Sequence, residues 1–189
     1  GEQRYRQQFG RRFDWLSFNA SLAESQIGSR VAIAFDPSYI SKSGKCTPYM
    51  GRFWSGCAKM AKRGLEISGI GLIDMDLHTC FHLEAVQTPP TKTLEQVKYT
   101  LIDWYLHVLR TRKEKLLRLT NYVVADAYFS KSTFVDGALE MGFHVISRFR
   151  DDAYFRYLTA EQSTGKRGRP KLYDGKIEIK HLEEDRFEI

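Results

Sequence analysis

Two short apolar runs, each followed directly by an aspartate, constrain the fold of this chain more than any other feature. Residues 31–35 (Val-Ala-Ile-Ala-Phe) precede Asp36, and residues 122–125 (Tyr-Val-Val-Ala) precede Asp126. Runs of this length, rich in β-branched and aromatic residues, predict buried strands. Carboxylates at strand ends lie where an open α/β sheet collects its ligands, so the two could meet on neighbouring strands and bind a divalent metal. The alternative is that each aspartate only caps a turn.

Much of the positive charge of the chain follows Asp36. The formal net charge is +6, and residues 37–65 contain no Asp or Glu. Aromatic residues are interleaved there with cations, and five of these cations are candidate DNA contacts: Lys42, Lys45, Arg52, Lys62 and Arg63. Cations neutralise backbone phosphates and aromatic rings stack on bases, so the segment predicts nucleic-acid binding. A basic solvated loop is the alternative.

Length and composition limit the class of protein. A chain of 189 residues can bury a sizeable core in one domain, with room for an appended module. No apolar run is long enough to cross a membrane, and the polar, Arg-rich start is unlike a signal peptide. Three unpatterned cysteines indicate a reducing compartment rather than a disulfide framework. The sequence therefore predicts a cytoplasmic protein with no membrane partner.

Hydrophobic periodicity predicts an α/β fold with a mixed, partly antiparallel sheet flanked by helices. After a helical stretch within residues 2–27, the predicted strands are 31–35, 65–73, 79–86, 122–125 and 143–147. A long helix over 94–108 follows a capping box formed by Thr93 and Gln96. A second helix begins with Ser130 as its N-cap and stops at Gly142.

The composition changes near residue 149, which predicts a core over 1–149 and the start of a β-rich module over 150–189. Arg148, a further candidate DNA contact, stands at this boundary, and a half-exposed strand is expected around Ile177 and Ile179. Between them lies a basic loop whose candidate DNA contacts are Lys166, Arg167, Arg169 and Lys171. An extended Arg-Gly-Arg-Pro segment can enter a narrow A·T minor groove. A disordered surface loop is the alternative.

A second candidate metal site is weaker. His78, Cys80 and His82 alternate along one predicted strand and would share a face, with Glu84 beside them. A zinc site requires four ligands in tetrahedral geometry, which one strand does not readily supply. A polar strand face is the preferred interpretation.

Several ordered motifs resemble the DDE transposases of bacterial insertion sequences. The resemblance rests on the segments 35–45 (Phe-Asp-Pro-Ser-Tyr-Ile-Ser-Lys-Ser-Gly-Lys), 53–56, 63–66, 124–130 (Val-Ala-Asp-Ala-Tyr-Phe-Ser) and 144–148. It implies an RNase-H-like fold, with Asp36 and Asp126 as catalytic metal ligands for Mg²⁺ or Mn²⁺. It further implies cut-and-paste chemistry on DNA, with transposon ends and target DNA as partners and a homodimer in the synaptic complex of the full-length protein.

One family feature has no counterpart here. The third acid of these transposases is a Glu on a helix beyond the β-rich insertion, and the acidic residues near the end of this chain do not fit that pattern. We therefore expect the chain to be a fragment that holds two of three metal ligands and is inactive alone. An RNase-H-like nuclease without strand transfer and a non-catalytic nucleic-acid-binding domain are the alternatives.

Overall fold

The computed structural model describes residues 1–44, 46–150, 153–159, 171–178 and 180–187. They belong to two units, Gly1–Arg148 and Phe149–Ile189. The helices of the first unit are α1 (Glu2–Phe9), α2 (Trp15–Glu24), α3 (Thr91–Gln96), α4 (Leu101–Arg110), α5 (Lys113–Leu119) and α6 (Ser132–Glu140). Its strands are β1 (Val31–Ser41), β2 (Gly51–Ser55), β3 (Met60–Asp74), β4 (Thr79–Gln87), β5 (Tyr122–Ala125) and β6 (His144–Ser147).

These strands form one mixed sheet in the order β2-β3-β1-β5-β6, with β4 also paired to β3. Strands β2, β3 and β4 belong to the antiparallel part, and β3 pairs with β1 along its length from Gly64 to Asp74. Strands β1, β5 and β6 form the parallel part. The sheet is therefore the mixed α/β arrangement that the sequence predicted.

One face of the sheet carries the core against helices α2, α4, α5 and α6. Ile33 and Phe35 on β1 alternate with residues of the other face, and their β3 partners on the core face are Leu72 and Ile70. The Phe35 ring packs edge-on against Tyr105 of α4, with 5.8 Å between ring centroids. Burying one such side chain contributes roughly 1.5–3 kcal/mol. The same alternation sends Asp36 to the opposite face of β1.

Two predicted helix starts were wrong. The stretch predicted as one helix is divided into α3 and α4, because Lys98 adopts a left-handed backbone with φ 57°. The capping box consists of Thr100 and Asp103 at the start of α4. Helix α6 has Lys131 rather than Ser130 at its N-cap, because the Ser130 hydroxyl donates back to the Ala127 carbonyl at 2.8 Å. The predicted stop at Gly142 is confirmed, with φ 92°.

The second unit contains the antiparallel pair β7 (Arg156–Leu158) and β8 (Tyr173–Lys176). The Tyr157 hydroxyl accepts a hydrogen bond from the Glu183 amide at 3.1 Å, and the Arg186 guanidinium lies 4.1 Å from the Tyr157 ring centroid. The strand expected around Ile177 is wrong, because β8 ends at Lys176, and Ile179 lies outside the described residues.

Candidate active site and nucleic-acid interface

The two aspartates lie on neighbouring strands at the end of a shared parallel ladder. The last paired residues of β1 and β5 are Phe35 and Ala125, and Asp36 and Asp126 come next on each strand. Neighbouring strands lie roughly 4.8 Å apart. Asp126 follows its strand as predicted. Asp36 does not, because antiparallel pairing with β3 extends β1 to Ser41.

Local hydrogen bonds orient both aspartates while leaving them exposed to solvent. Asp36 Oδ2 accepts from the Ser38 hydroxyl at 3.1 Å. Asp126 Oδ1 accepts from the Tyr128 amide at 3.0 Å and caps the short 3₁₀ turn Ala127–Phe129. The Ser147 hydroxyl of β6 donates to the Asp126 carbonyl at 2.7 Å and ties this turn to the next strand. Each carboxylate retains acceptor capacity, since an ionised carboxylate offers about four lone-pair sites.

A third carboxylate, Glu66 of β3, is buried near the two aspartates. Its side chain is only 6% exposed, and its Oε1 accepts from the Tyr105 hydroxyl at 2.7 Å. Burial raises the pKa of Glu66, and the negative charge of Asp36 raises it further, while hydrogen bonds from Tyr105 and Thr88 oppose the shift. Burial also raises the pKa of the Tyr105 phenol, with the Glu66 charge as the next cause. Glu66 and Tyr105 are therefore two hydrogen-bonded, ionisable side chains enclosed beside the candidate site.

A cavity of about 410 Å³ opens beside Asp126. Its lining includes Pro37, Trp54, Glu66, Tyr105, Asp126 and Tyr128. Asp36 instead lines a shallow depression on the opposite face of β1, with Ser38, Gly69 and His82. Asp36 and Asp126 thus follow neighbouring strands of the sheet, but each lines a different concavity.

The donor set fits a hard divalent cation only in part. Two exposed carboxylates supply the oxygen ligands that Mg²⁺ prefers, and Mg²⁺ usually keeps several waters. Within the part of the chain that the structure describes, no group of three or more His, Cys, Asp or Glu residues could hold a metal ion. Asp36 and Asp126 therefore need a further ligand, or water, to complete a site.

The same finding counts against the zinc interpretation. His78 lies in the turn before β4, with φ 51°, so it does not alternate with Cys80 and His82 along the strand. A register shift in the β3–β4 pairing places Glu84 opposite Ile70, where it forms an ion pair with Arg112. The bulge thereby turns Glu84 away from the face that Cys80 and His82 share.

The structure brings part of the predicted basic set together at one end of the sheet. Arg52 of β2 and Arg63 of β3 are directly opposite in the antiparallel register, so they share a face, and Lys62 points to the other face. Arg63 Nη2 donates to the Gly44 carbonyl at 3.2 Å, which brings the segment that carries Lys42 to the same end. We call the four exposed cations at this end of the sheet, which lie on both of its faces, the basic patch: Lys42, Arg52, Lys62 and Arg63.

The other predicted DNA contacts are Arg148, Lys171 and residues that lie outside the described part of the chain. Arg148 is exposed and follows Ser147, whose hydroxyl holds the Asp126 carbonyl. Lys171 belongs to the second unit and forms an ion pair with Asp174 at 2.9 Å. Lys45, Lys166, Arg167 and Arg169 lie outside the described residues.

Sequence reasoning missed Glu66 and Tyr105 as site residues, although a signal was present. Alternation along β3 places Glu66 on the same face as Ser68, Ile70 and Leu72, which is the core face. Charged residues are almost never fully buried unless they are paired. A glutamate in phase with buried residues therefore marks an enclosed, partnered carboxylate.

RNase-H-like enzymes are expected to have a mixed sheet in which aspartates follow the last paired residues of two central parallel strands. Asp36 and Asp126 have this arrangement here. Residues 7–185 match the DDE superfamily endonucleases, and the chain belongs to this family. The match confirms the resemblance and the RNase-H-like fold class, and it supports a nuclease or transposase type of activity with DNA as substrate. Enzymes of this superfamily generally use divalent metals. No curated protein matches the chain. Among the described residues, no helix is long and apolar enough to cross a membrane.

Proposed function

We propose that this chain is part of the catalytic core of a DNA transposase that cleaves and joins DNA strands with the help of divalent metal. The supporting observation is the placement of Asp36 and Asp126 directly after the last paired residues of β1 and β5, in a chain of the DDE superfamily endonucleases. Asp36 and Asp126 are the proposed metal ligands, with Mg²⁺ or Mn²⁺ as the cofactor.

The residues of the site would each have a distinct part in this chemistry. A bound divalent metal supplies a Lewis acid and lowers the pKa of its water. Asp36 and Asp126 would hold it through hard oxygen atoms. The Ser38 hydroxyl on Asp36 and the Tyr128 amide on Asp126 orient these carboxylates. Preorganised ligands matter because phosphoryl transfer depends on positioning and on stabilisation of developing charge.

The basic patch would hold the phosphodiester backbone. Arg52 and Arg63 face each other across β2 and β3, and two like charges in that position repel unless an anion lies between them. Each guanidinium already donates to a backbone carbonyl, Ala61 for Arg52 and Gly44 for Arg63. A guanidinium has five N–H donors, so donors remain for phosphate oxygens. Arg148 is a further proposed phosphate contact, since it directly follows Ser147, whose hydroxyl donates to the Asp126 carbonyl.

Two further parts of the proposal concern the whole protein. The third acidic ligand would come from residues that this chain does not supply, so the chain alone would bind metal weakly and cleave no DNA. In the full-length protein we propose a homodimer on paired transposon ends and a cytoplasmic location. Membership of the DDE superfamily endonucleases favours one second candidate, a nuclease that cuts DNA without joining strands.

Mn²⁺ binding to this chain tests the proposed ligands. Water-proton relaxation measures bound Mn²⁺, and we expect weak binding in the wild type that is lost in Asp36→Ala and in Asp126→Ala. The exposed Asp136 of α6 provides a matched control, since Asp136→Ala removes the same charge elsewhere. Binding that survives both site substitutions would move the metal away from Asp36 and Asp126 and refute the assignment.

The two candidate activities differ in their products. In the full-length protein, a transposase yields DNA strands joined to target DNA, whereas a nuclease yields only free 3′ ends. Incubating labelled terminal-repeat DNA with a supercoiled target and Mg²⁺ distinguishes the two on a denaturing gel. Cleavage without any joined product would support the nuclease and contradict the transposase.

A further inference from the structure

The cavity beside Asp126 has the chemistry of a binding site for a flat, polar-edged molecule. Trp54 at its rim is 63% exposed although it is large and apolar. Glu66 in the same lining is 6% exposed and carries a carboxylate. A volume of about 410 Å³ falls within the usual range of roughly 300–1,000 Å³ for small-molecule sites. Apolar walls with a few placed polar groups are the common composition of such sites.

The walls fit an aromatic ring. Trp54 lies on β2 opposite Ala61 of β3, and Arg52, two residues before it and therefore on the same face of the strand, pairs with Arg63. Tyr128 lines the cavity and has the Lys131 ammonium 3.9 Å from its ring centroid. Exposed aromatic rings next to cations are the usual platform for stacking bases of an unpaired strand while its phosphates are neutralised.

Glu66 supplies an acceptor for the edge of such a ring. The Tyr105 hydroxyl occupies one position on Oε1, and Thr88 supplies a second hydrogen bond. A carboxyl group keeps further acceptor lone pairs in both its ionised and its protonated form, so acceptor capacity remains. Adenine, cytosine and guanine carry exocyclic amino groups that donate to a carboxylate, whereas thymine has none. Inside a duplex these edges are paired, so only an unpaired base could reach the cavity.

We propose that this cavity binds one unpaired nucleobase with an exocyclic amino group, stacked on Trp54 and hydrogen-bonded to Glu66. Asp126 shares the lining, so a base held there places its own strand beside the candidate metal ligand. The cavity would thus fix which phosphodiester lies at the aspartates. This inference rests on the proposed function, because it takes DNA to be the substrate.

Two DNA duplexes test the proposal. One is fully paired, and the other carries a single bulged adenine; affinity is measured by fluorescence anisotropy at one fixed salt concentration. We expect wild-type protein to bind the bulged duplex more tightly. Trp54→Ala should reduce that preference by roughly 5–150-fold, and Trp54→Phe should retain most of it. Because Trp54 is largely exposed, neither substitution should alter the thermal unfolding midpoint, which is measured for each variant.

Glu66 is tested through base identity rather than overall affinity. Wild-type protein should prefer bulged adenine, cytosine and guanine over bulged thymine, and Glu66→Gln should weaken that order while its amide oxygen still accepts from Tyr105. Lys62→Ala is the comparison, since loss of a phosphate contact should weaken binding to all duplexes equally.

The outcomes separate this inference from the proposed function. If the wild type binds both duplexes equally well, or if Trp54→Ala keeps the preference for the bulge, the base site is refuted and the proposed function stands. If the wild type binds no DNA at all, the proposed function fails and the base site fails with it. A preference that depends on Trp54 and on Glu66 supports the proposal.

Discussion

At the scale of single residues, Glu66 of the first unit is unusual because its carboxylate is buried. A buried carboxylate is costly unless hydrogen bonds compensate it, and Tyr105 and Thr88 supply them here. Burial still raises its pKa, so the folded protein binds a proton at Glu66 more readily than the unfolded chain does. Linkage then requires stability to fall as pH rises from the ordinary glutamate value, about 4.3, through the raised value.

We therefore predict that Glu66→Gln flattens the pH dependence of stability in that window. Denaturant unfolding from pH 4.5 upward should show a wild-type free energy of unfolding that declines by up to about 1.4 kcal/mol per pH unit from this group. The variant should lack that decline. Asp76, whose pKa the Arg30 hydrogen bond lowers to about 2, loses its contribution only below this window. Parallel curves for the two proteins would show that Glu66 does not titrate there.

At the scale of elements, β3 organises the sheet. Its 15 residues pair with β1, β2 and β4, and it carries both Glu66 and the patch residues Lys62 and Arg63. Two glycines on this strand differ sharply in the space around them. A Cβ at Gly64 would lie 2.4 Å from the Ile40 carbonyl oxygen, whereas a Cβ at Gly69 would lie 3.5 Å from the Asp36 carbonyl oxygen.

We predict that Gly64→Ala destabilises the protein by about 1–3 kcal/mol, because the clash is with backbone and β1 and β3 must separate to relieve it. Gly69→Ala is the matched control on the same strand and should have a much smaller effect, since its contact is an ordinary van der Waals distance. The free energy of unfolding from urea titration measures both. Equal losses of unfolding free energy in the two variants would mean that the clash at Gly64 adds no cost, and would contradict the prediction.

The extension of β1 past Asp36 shows why element boundaries resist prediction. The apolar run that predicted the strand ends at Phe35, yet β1 continues through Pro37, which cannot donate to a sheet ladder, to Ser41. In the structure β5 ends at Ala125, so beyond Phe35 only the β3 side of β1 is paired. An edge is where a strand tolerates proline. Local sequence does not report where the neighbouring strand stops.

At the scale of the whole molecule, the sequence predicted what depends on local pattern and missed what depends on tertiary packing. The runs before Asp36 and Asp126 predicted two strands, and the structure pairs them in parallel. The Thr93 capping box failed because Thr93 lies inside α3, which begins at Thr91, and the capping box forms instead between Thr100 and Asp103 at the start of α4. The Glu66–Tyr105 bond joins residues 39 positions apart, so no window of local sequence contains it.

The basic patch leads to a prediction about how the DNA affinity of the whole molecule depends on salt. Each phosphate that the protein neutralises contributes about 0.9 to the slope of log affinity against log salt on duplex DNA. If Arg52, Lys62 and Arg63 each hold one phosphate, the triple alanine variant should bind more weakly, with a slope reduced by up to about 2.7. The exposed helix and loop residues Lys98, Arg110 and Arg118 give a control variant with the same change in net charge.

The slopes of wild type, patch variant and control variant are measured by anisotropy titrations of duplex DNA. The salt concentration runs from 50 to 200 mM, roughly the range over which phosphate contacts change the affinity measurably. We expect the control to keep the wild-type slope, because counterion release depends on contacts rather than on total charge. Replacing Lys166, Arg167, Arg169 and Lys171 by alanine tests the basic loop in the same way. If patch and control variants lose affinity and slope equally, the effect is one of net charge, and the patch is not the surface that holds the DNA.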